Sequence, residues 1–153
     1  MEREEVRLME EMNEAVNRLN DAECWSRLRT QQLGRLVTHV GDVLDVFPVN
    51  YVVDDETIVF RTAEGSKLFE LTVNDNVLFE VDDHSGADAW SVVVRGRAHR
   101  LATSAEVQAA DDLPLRPWIS TLKYNYVRVT ATSLTGRAFV IAPEPDRYGT
   151  AEY

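Results

Sequence analysis

From Gly34 onward the chain is a succession of short β-prone segments separated by turn-forming residues, and few architectures accept that pattern. Segments 36–40, 43–53, 57–62, 77–81, 90–101, 126–132 and 137–141 are rich in Val, Ile, Thr and aromatic residues. Asp54 and Asp55 mark a turn between the second and third. Helical patterns interrupt in only a few places. Gly65 opens a short helix over residues 66–72. A second runs near 104–110 with Ser104 as its cap, followed by a Pro-containing loop over 113–117. A doubly wound sheet would alternate strand and helix throughout. Six or seven β-segments with mostly short connections instead predict a mainly β fold with flanking helices, an antiparallel barrel.

The first 24 residues have another texture. Eight acids against three bases give them a charge of −5, half of the chain's −10. Val6, Met9, Met12, Val16 and Leu19 recur at three- and four-residue steps, which predicts a helix over residues 2–19. Its apolar stripe either docks on the barrel or packs on a partner subunit. Asn20 and Asp21 read as a break and N-cap for a second helix through Leu33, closed by Gly34. The expected organisation is an acidic amphipathic segment (1–23), a barrel domain (24–142) and a polar tail (143–153).

Composition removes several function classes. At 153 residues with 44% apolar content, one domain with a real core is expected. A net charge of −10 leaves no broadly basic surface for nucleic acid, though a local basic pocket for a small phosphate remains possible. The single cysteine, Cys24, excludes an internal disulfide and any multi-thiolate metal site. No apolar run approaches the roughly 18 residues of a spanning helix. The N-terminus is acidic where a targeting peptide would be basic, so the expected location is cytoplasmic, with no membrane partner.

The usual catalytic and nucleotide motifs are missing. His39, His84 and His99 lie far apart with no metal-spaced partner, and no HExxH helix occurs. There is no G-x-S-x-G elbow, no GxGxxG and no GxxxxGK[ST].

Three stretches carry chemistry. In Phe60-Arg61-Thr62-Ala63-Glu64-Gly65-Ser66-Lys67-Leu68 a strand ends in Arg-Thr, and Gly-Ser-Lys opens a helix. Free N–H groups at a helix start, a hydroxyl, an ammonium and a guanidinium are the parts of a phosphate site. Glu64 has the wrong sign for that role and must point away. The same residues also fit a plain turn with Ser66 as cap and solvated cations. In Asp45-Val46-Phe47-Pro48-Val49-Asn50-Tyr51, proline within a strand marks either an edge or a bulge beside Asn50 that aims polar groups into a cleft. In the stretch from Trp90 to Ala98, alternation puts Ser91, Val93 and Arg95 on one face and Trp90, Val92 and Val94 on the other. Trp90 is either core or a stacking platform. Trp118, after Pro117 in a loop, is the better stacking candidate.

Together these stretches resemble the pyridoxamine-5′-phosphate-oxidase-like family of FMN-binding split barrels, and its small bacterial members above all. The motifs are Gly34-Arg35-Leu36-Val37-Thr38, Pro48-Val49-Asn50-Tyr51, Ile58-Val59-Phe60-Arg61-Thr62, Gly65-Ser66-Lys67-Leu68, Trp90 to Ala98, and Thr135-Gly136-Arg137-Ala138-Phe139. The resemblance implies a six-stranded antiparallel split barrel that pairs as a homodimer, with FMN in a groove at the interface. It implies that Arg61, Thr62, Ser66 and Lys67 hold the flavin phosphate. Pro48, Val49, Asn50 and Tyr51 would run along the ring system through backbone and amide contacts. Trp90 and Ser91 would lie near the flavin, from either chain, and Trp118 would close it. Related members use the deazaflavin F420 instead of FMN, and others bind haem. The segment from Pro143 lacks the Arg- and Trp-rich end with which full-length pyridoxamine phosphate oxidases grip their substrate. Ser66 stands where nitroimidazole-reductase-like relatives often place His.

The function expected is that of a flavoprotein: an FMN-dependent oxidoreductase acting on a small molecule, with no side chain assigned a catalytic role. The alternative is a non-catalytic flavin, F420 or haem binder that stores, carries or senses its ligand.

Overall fold

The computed structural model describes residues 2–7, 16–63, 65–119 and 124–143. Alternation along the chain becomes seven strands: β1 (Val16–Leu19), β2 (Leu33–Val40), β3 (Val43–Asp54), β4 (Thr57–Thr62), β5 (Asn76–Ser85), β6 (Asp88–Arg100) and β7 (Asn125–Val140). Between them lie α1 (Asp21–Leu28), α2 (Ser66–Val73) and α3 (Ser104–Asp111). Residues 2–7 are also helical. The spatial order is β1-β7-β4-β3-β2-β5-β6, and β6 pairs back onto β7. All these pairings are antiparallel. The last ladder closes six strands into the expected split barrel, with β1 outside the ring. Closure leaves few strand edges open to solvent or to other chains.

One side of β7 serves two partners in turn. Its first part, from Asn125 to Thr130, pairs with β4, and its later part, from Gly136 to Phe139, pairs with β1. The other side runs along β6. The interior holds alternate residues from each strand, among them Leu36, Ile58, Phe60, Phe79, Val81, Val92, Val94 and Val129, all fully buried. Tyr51 meets Phe79 edge-on with ring centroids 5.0 Å apart. Cys24, Trp25 and Leu28 of α1 and Leu68 and Leu71 of α2 pack into the same core. A smaller cluster, Val59, Leu101, Ala110 and Tyr126, lies beneath α3.

Several local expectations are corrected. Residues 16–19 are strand, not helix. The three-residue step from Val16 to Leu19 fits a helical face, but the later part of β7 offers an edge that β4 does not reach. Pairing there satisfies the backbone. Gly136 opposite Leu19 leaves room for the Leu19 side chain and the Cys24 thiol, which a Cβ would fill. Residues 8–15, with Met9 and Met12, lie outside the described residues, as does the tail from 144. The second helix starts as expected, with Asn20 accepting from the Glu23 N–H at 2.8 Å in a capping box. It stops at Leu28 rather than Leu33. Gly34 is no cap: it sits in β2, where a Cβ would overlap the Phe79 ring.

Strands β5 and β6 extend beyond 81 and before 90 to form a hairpin, because the polar run between them keeps its ladder to Ser85 and Asp88. The two expected C-terminal strands are one. Thr132 is the extra residue of a bulge opposite Arg95 and Gly96, and its hydroxyl donates to the Arg95 carbonyl at 3.1 Å. The cap of α3 is Thr103, not Ser104. Its hydroxyl accepts from the Glu106 N–H at 3.1 Å. Among the described residues no helix is long and apolar enough to cross a membrane.

Candidate functional site

The end of β4, the start of α2, the middle of β3 and the loop after α3 converge on one cavity of about 270 Å³. Pro48, Val49 and Asn50 come from β3, Arg61 and Thr62 from β4, and Lys67 from α2. Ala63, Pro117 and Ile119 complete the lining. A larger depression of about 390 Å³ lies against β2, β5 and β6, and Arg95 is the one arginine or lysine in its described lining. We place the candidate site in the smaller cavity because two cations and a helix start meet there without a carboxylate in the described lining.

Arg61 is not an ordinary solvated cation. Its Nε is buried and has no hydrogen-bond partner among the described residues, and its guanidinium carbon lies 4.1 Å from the centre of the Tyr124 ring. A buried donor without an acceptor is costly, and a native structure that keeps one calls for a physical reason. Lys67 lies over the Phe47 ring at 5.4 Å, and burial holds its ammonium below the usual lysine range. Gly65 caps α2 without a side-chain hydrogen bond, so the first N–H groups of the helix are not satisfied by a cap. A phosphate would accept from the Arg61 guanidinium and restore the solvation that Lys67 has lost. The residues present therefore fit a phosphate-bearing cofactor.

The position of Lys67 depends on how α2 docks. The hydroxyl of Thr38, buried in β2, donates to Glu70 Oε2 at 2.8 Å. The neighbouring Asp45 carboxyl of β3 is the main reason that Glu70 titrates above the usual carboxylate range.

Six of the residues expected from sequence line the cavity together: Pro48, Val49, Asn50, Arg61, Thr62 and Lys67. Asn50 also ties the rim, since its Oδ1 accepts from the Trp118 N–H at 2.9 Å. Trp118 is exposed beside the site. Ser66 begins α2 and is exposed, outside the lining. Tyr51 points into the core, and its hydroxyl donates to the Leu28 carbonyl at 2.6 Å. Trp90 is core on β6, with Arg27 at 5.9 Å from its ring, and Ser91 sits opposite Asp82 and Arg137. Neither lines this cavity. Glu64 lies outside the described residues. Sequence reasoning missed Tyr124, whose contact with Arg61 depends on the pairing of β4 with β7. Among the described residues no group of three potential metal ligands occurs.

A family model described as pyridoxamine 5′-phosphate oxidase matches residues 20–138. An uncharacterized protein of Mycobacterium tuberculosis is 48% identical over 99 residues, 65% of this chain and 90% of that one. The crystal structure of a candidate pyridoxamine 5′-phosphate oxidase of Corynebacterium glutamicum is 48% identical, covering 85% of this chain and 97% of that one, with a TM-score of 0.80. The FAD binding protein of Mycobacterium smegmatis is 42% identical, covering 81% and 98%, with a TM-score of 0.70. The barrel, the ordered motifs and the cation-lined cavity thus belong together: the chain is a member of the pyridoxamine 5′-phosphate oxidase family of split barrels.

Proposed function

We propose that this chain binds a flavin nucleotide in the cavity between β3, β4 and α2 and serves redox chemistry on a small molecule. The observation that carries the reading is Arg61, whose buried Nε has no hydrogen-bond partner among the described residues, lining one cavity with the partly desolvated Lys67. In this reading Arg61, Lys67 and the N–H groups at the start of α2 hold the phosphate, with Thr62 and Ser66 beside them. Asn50 and the β3 backbone at Pro48 and Val49 border the ring system, and Trp118 flanks it. Bound flavin supplies hydride or electron transfer. The described lining has no carboxylate or imidazole, so these side chains bind and orient rather than move protons.

FMN is the nucleotide the motifs imply. The FAD-binding relative supports a flavin and extends the choice to FAD, whose phosphate can meet the same two cations. Exposed Ile119 and Trp118 at the rim favour a second copy of the chain covering the groove, a homodimer. Sedimentation at micromolar protein checks this, with twice 17.4 kDa expected.

The test of function is a titration of apoprotein with FMN, FAD and riboflavin, followed by addition of NAD(P)H to the loaded protein. Tight binding of a phosphorylated flavin and bleaching that air reverses are expected. Binding without bleaching by these or other reductants supports the store or carrier reading. No preference for phosphorylated flavin over riboflavin overturns the assignment of Arg61 and Lys67.

A further inference from the structure

Tyr124 lies one residue before β7, and the Arg61 guanidinium carbon sits over its ring, 4.1 Å from the centroid. The tyrosine is itself held. Its ring meets that of Tyr126 edge-on, centroids 5.4 Å apart and planes at 79°. The Tyr126 hydroxyl donates to Asp111 Oδ1 at 2.6 Å, and the Tyr124 hydroxyl reaches the same oxygen at 3.5 Å. Asp111 ends α3, whose Ala110 is buried in the cluster that also holds Val59, Leu101 and Tyr126. Tyr126 is in turn the cross-strand partner of Arg61. The guanidinium thus rests on a scaffold anchored in two elements.

An arginine on a flexible stem loses rotamer freedom when it binds an anion. A ring that already fixes the guanidinium plane removes part of that cost before the anion arrives. Where a guanidinium lies flat on a ring, the contact uses none of the N–H donors, which lie in the guanidinium plane. The Arg61 Nε, buried and without a partner among the described residues, shows that the donors of this guanidinium are not all engaged within the chain.

Resting on the flavin reading above, we propose that Tyr124 is a positioning residue that holds the N–H edge of Arg61 for the phosphate and so sets the preference for phosphorylated flavin over riboflavin. Tyr124→Leu removes the ring and Tyr124→Phe keeps it. Each is titrated with FMN and with riboflavin by fluorescence quenching. The Leu variant is expected to lose about tenfold in FMN affinity, in the range of a partly desolvated cation–π contact. Its riboflavin affinity stays within about twofold, and the Phe variant stays within about twofold for both.

A second readout needs no flavin. The Arg61 Nε–H resonance, assigned by its loss in Arg61→Lys, should be ring-current shifted in the wild type and in Tyr124→Phe, and unshifted in Tyr124→Leu. Should the Leu variant fail to fold, Tyr124→Gln takes its place. Equal loss of both ligands, unchanged FMN affinity, or an Arg61 resonance indifferent to the ring overturns the proposal. A wild type that binds riboflavin as well as FMN overturns the flavin-phosphate reading and with it the preference assigned to Tyr124; the resonance then reports separately whether the ring orients Arg61.

Discussion

Asn50 and Trp118 are joined by a single hydrogen bond, from the Trp118 N–H to Asn50 Oδ1 at 2.9 Å. The other end of the same amide donates to the Gln32 carbonyl at 3.4 Å. One side chain on β3 therefore connects the loop after α3 with the segment before β2. Asn50→Ala removes both contacts at an exposed site, where each is worth about 0.5–1.5 kcal/mol. Hydrogen exchange at the Trp118 amide should speed up roughly tenfold in the variant, a change of about 1.4 kcal/mol. Exchange in the buried parts of β4 and β6 should stay as it was. An unchanged Trp118 rate would mean that the loop is held by something else.

Lys67→Ala should weaken FMN binding by about 10- to 100-fold, the effect of losing a charge-assisted contact of about 1.5–3 kcal/mol. Riboflavin affinity should change little. Burial lowers the Lys67 pKa, so the ammonium is lost earlier than in a solvated lysine as pH rises. A phosphate favours the charged form and raises that pKa again. Binding therefore takes up a proton in the alkaline range, and FMN affinity falls as pH passes through the apoprotein value. In Lys67→Arg that alkaline decline should vanish, since guanidinium stays charged. Titrations across pH 7–10.5 check both points.

The Glu70 carboxyl, beside Asp45 and bonded by Thr38, titrates above its ordinary range. Its proton is held more tightly in the folded chain than in the unfolded one. The corresponding stability is fully present below the unfolded carboxylate pKa and is lost as pH rises through the folded value. Glu70→Gln keeps an acceptor for the Thr38 hydroxyl and removes one of the two like charges. Its melting temperature at pH 7 should exceed that of the wild type. The gain should shrink as both are acidified toward pH 4, which calorimetry at several pH values measures.

Deleting residues 1–15 and deleting residues 1–19 should have different effects. The longer deletion removes β1, uncovers the edge of β7 from Gly136 to Phe139, and takes Leu19 away from Gly136 and Cys24. We expect it to lower the melting temperature by about 5 °C or more, at roughly 2–4 °C per kcal/mol for a chain of this size. The shorter deletion should stay within about 2 °C. Neither should shift flavin affinity beyond about threefold, or 0.7 kcal/mol, because the cavity draws on β3, β4 and α2. Parallel melts and titrations decide.

Gly34→Ala places a methyl group against the Phe79 ring. Overpacking of this kind costs about 1–3 kcal/mol. Phe79→Leu shortens the ring side chain and should recover part of that loss in the double variant. Denaturant midpoints of the two single variants and the double variant measure the coupling.

What the sequence makes legible is what neighbours along the chain decide. Strand β4 shows both of its ends, Thr57 and Thr62, because alternation and flanking turns are local. Asn20 and Asp21 mark the start of α1, because a capping side chain acts on backbone within one turn. Arg61 and Lys67 line one cavity because a strand end and a helix start bring them close within a few residues. What depends on distant pairing is not legible. Val16 and Leu19 have helical spacing, and nothing near them reveals a waiting edge on β7. Gly34 looks like a helix terminator until Phe79 is seen against it. Tyr124 carries no motif at all, and only the register of β4 against β7 brings it over Arg61.

The double use of β7 also fixes the order in which the molecule can be assembled. Its partners β1 and β4 leave the ribosome early, and both wait for a strand near the other end of the chain. Such long-range pairings close slowly, because a large loop must be ordered before any contact is gained. Until β7 arrives, Arg61 has neither its cross-strand neighbour Tyr126 nor the ring of Tyr124. A nascent or truncated chain that holds β3, β4 and α2 still lacks both of these contacts to Arg61. In the flavin reading proposed above, a chain with its ligand bound would then be one whose barrel has already closed.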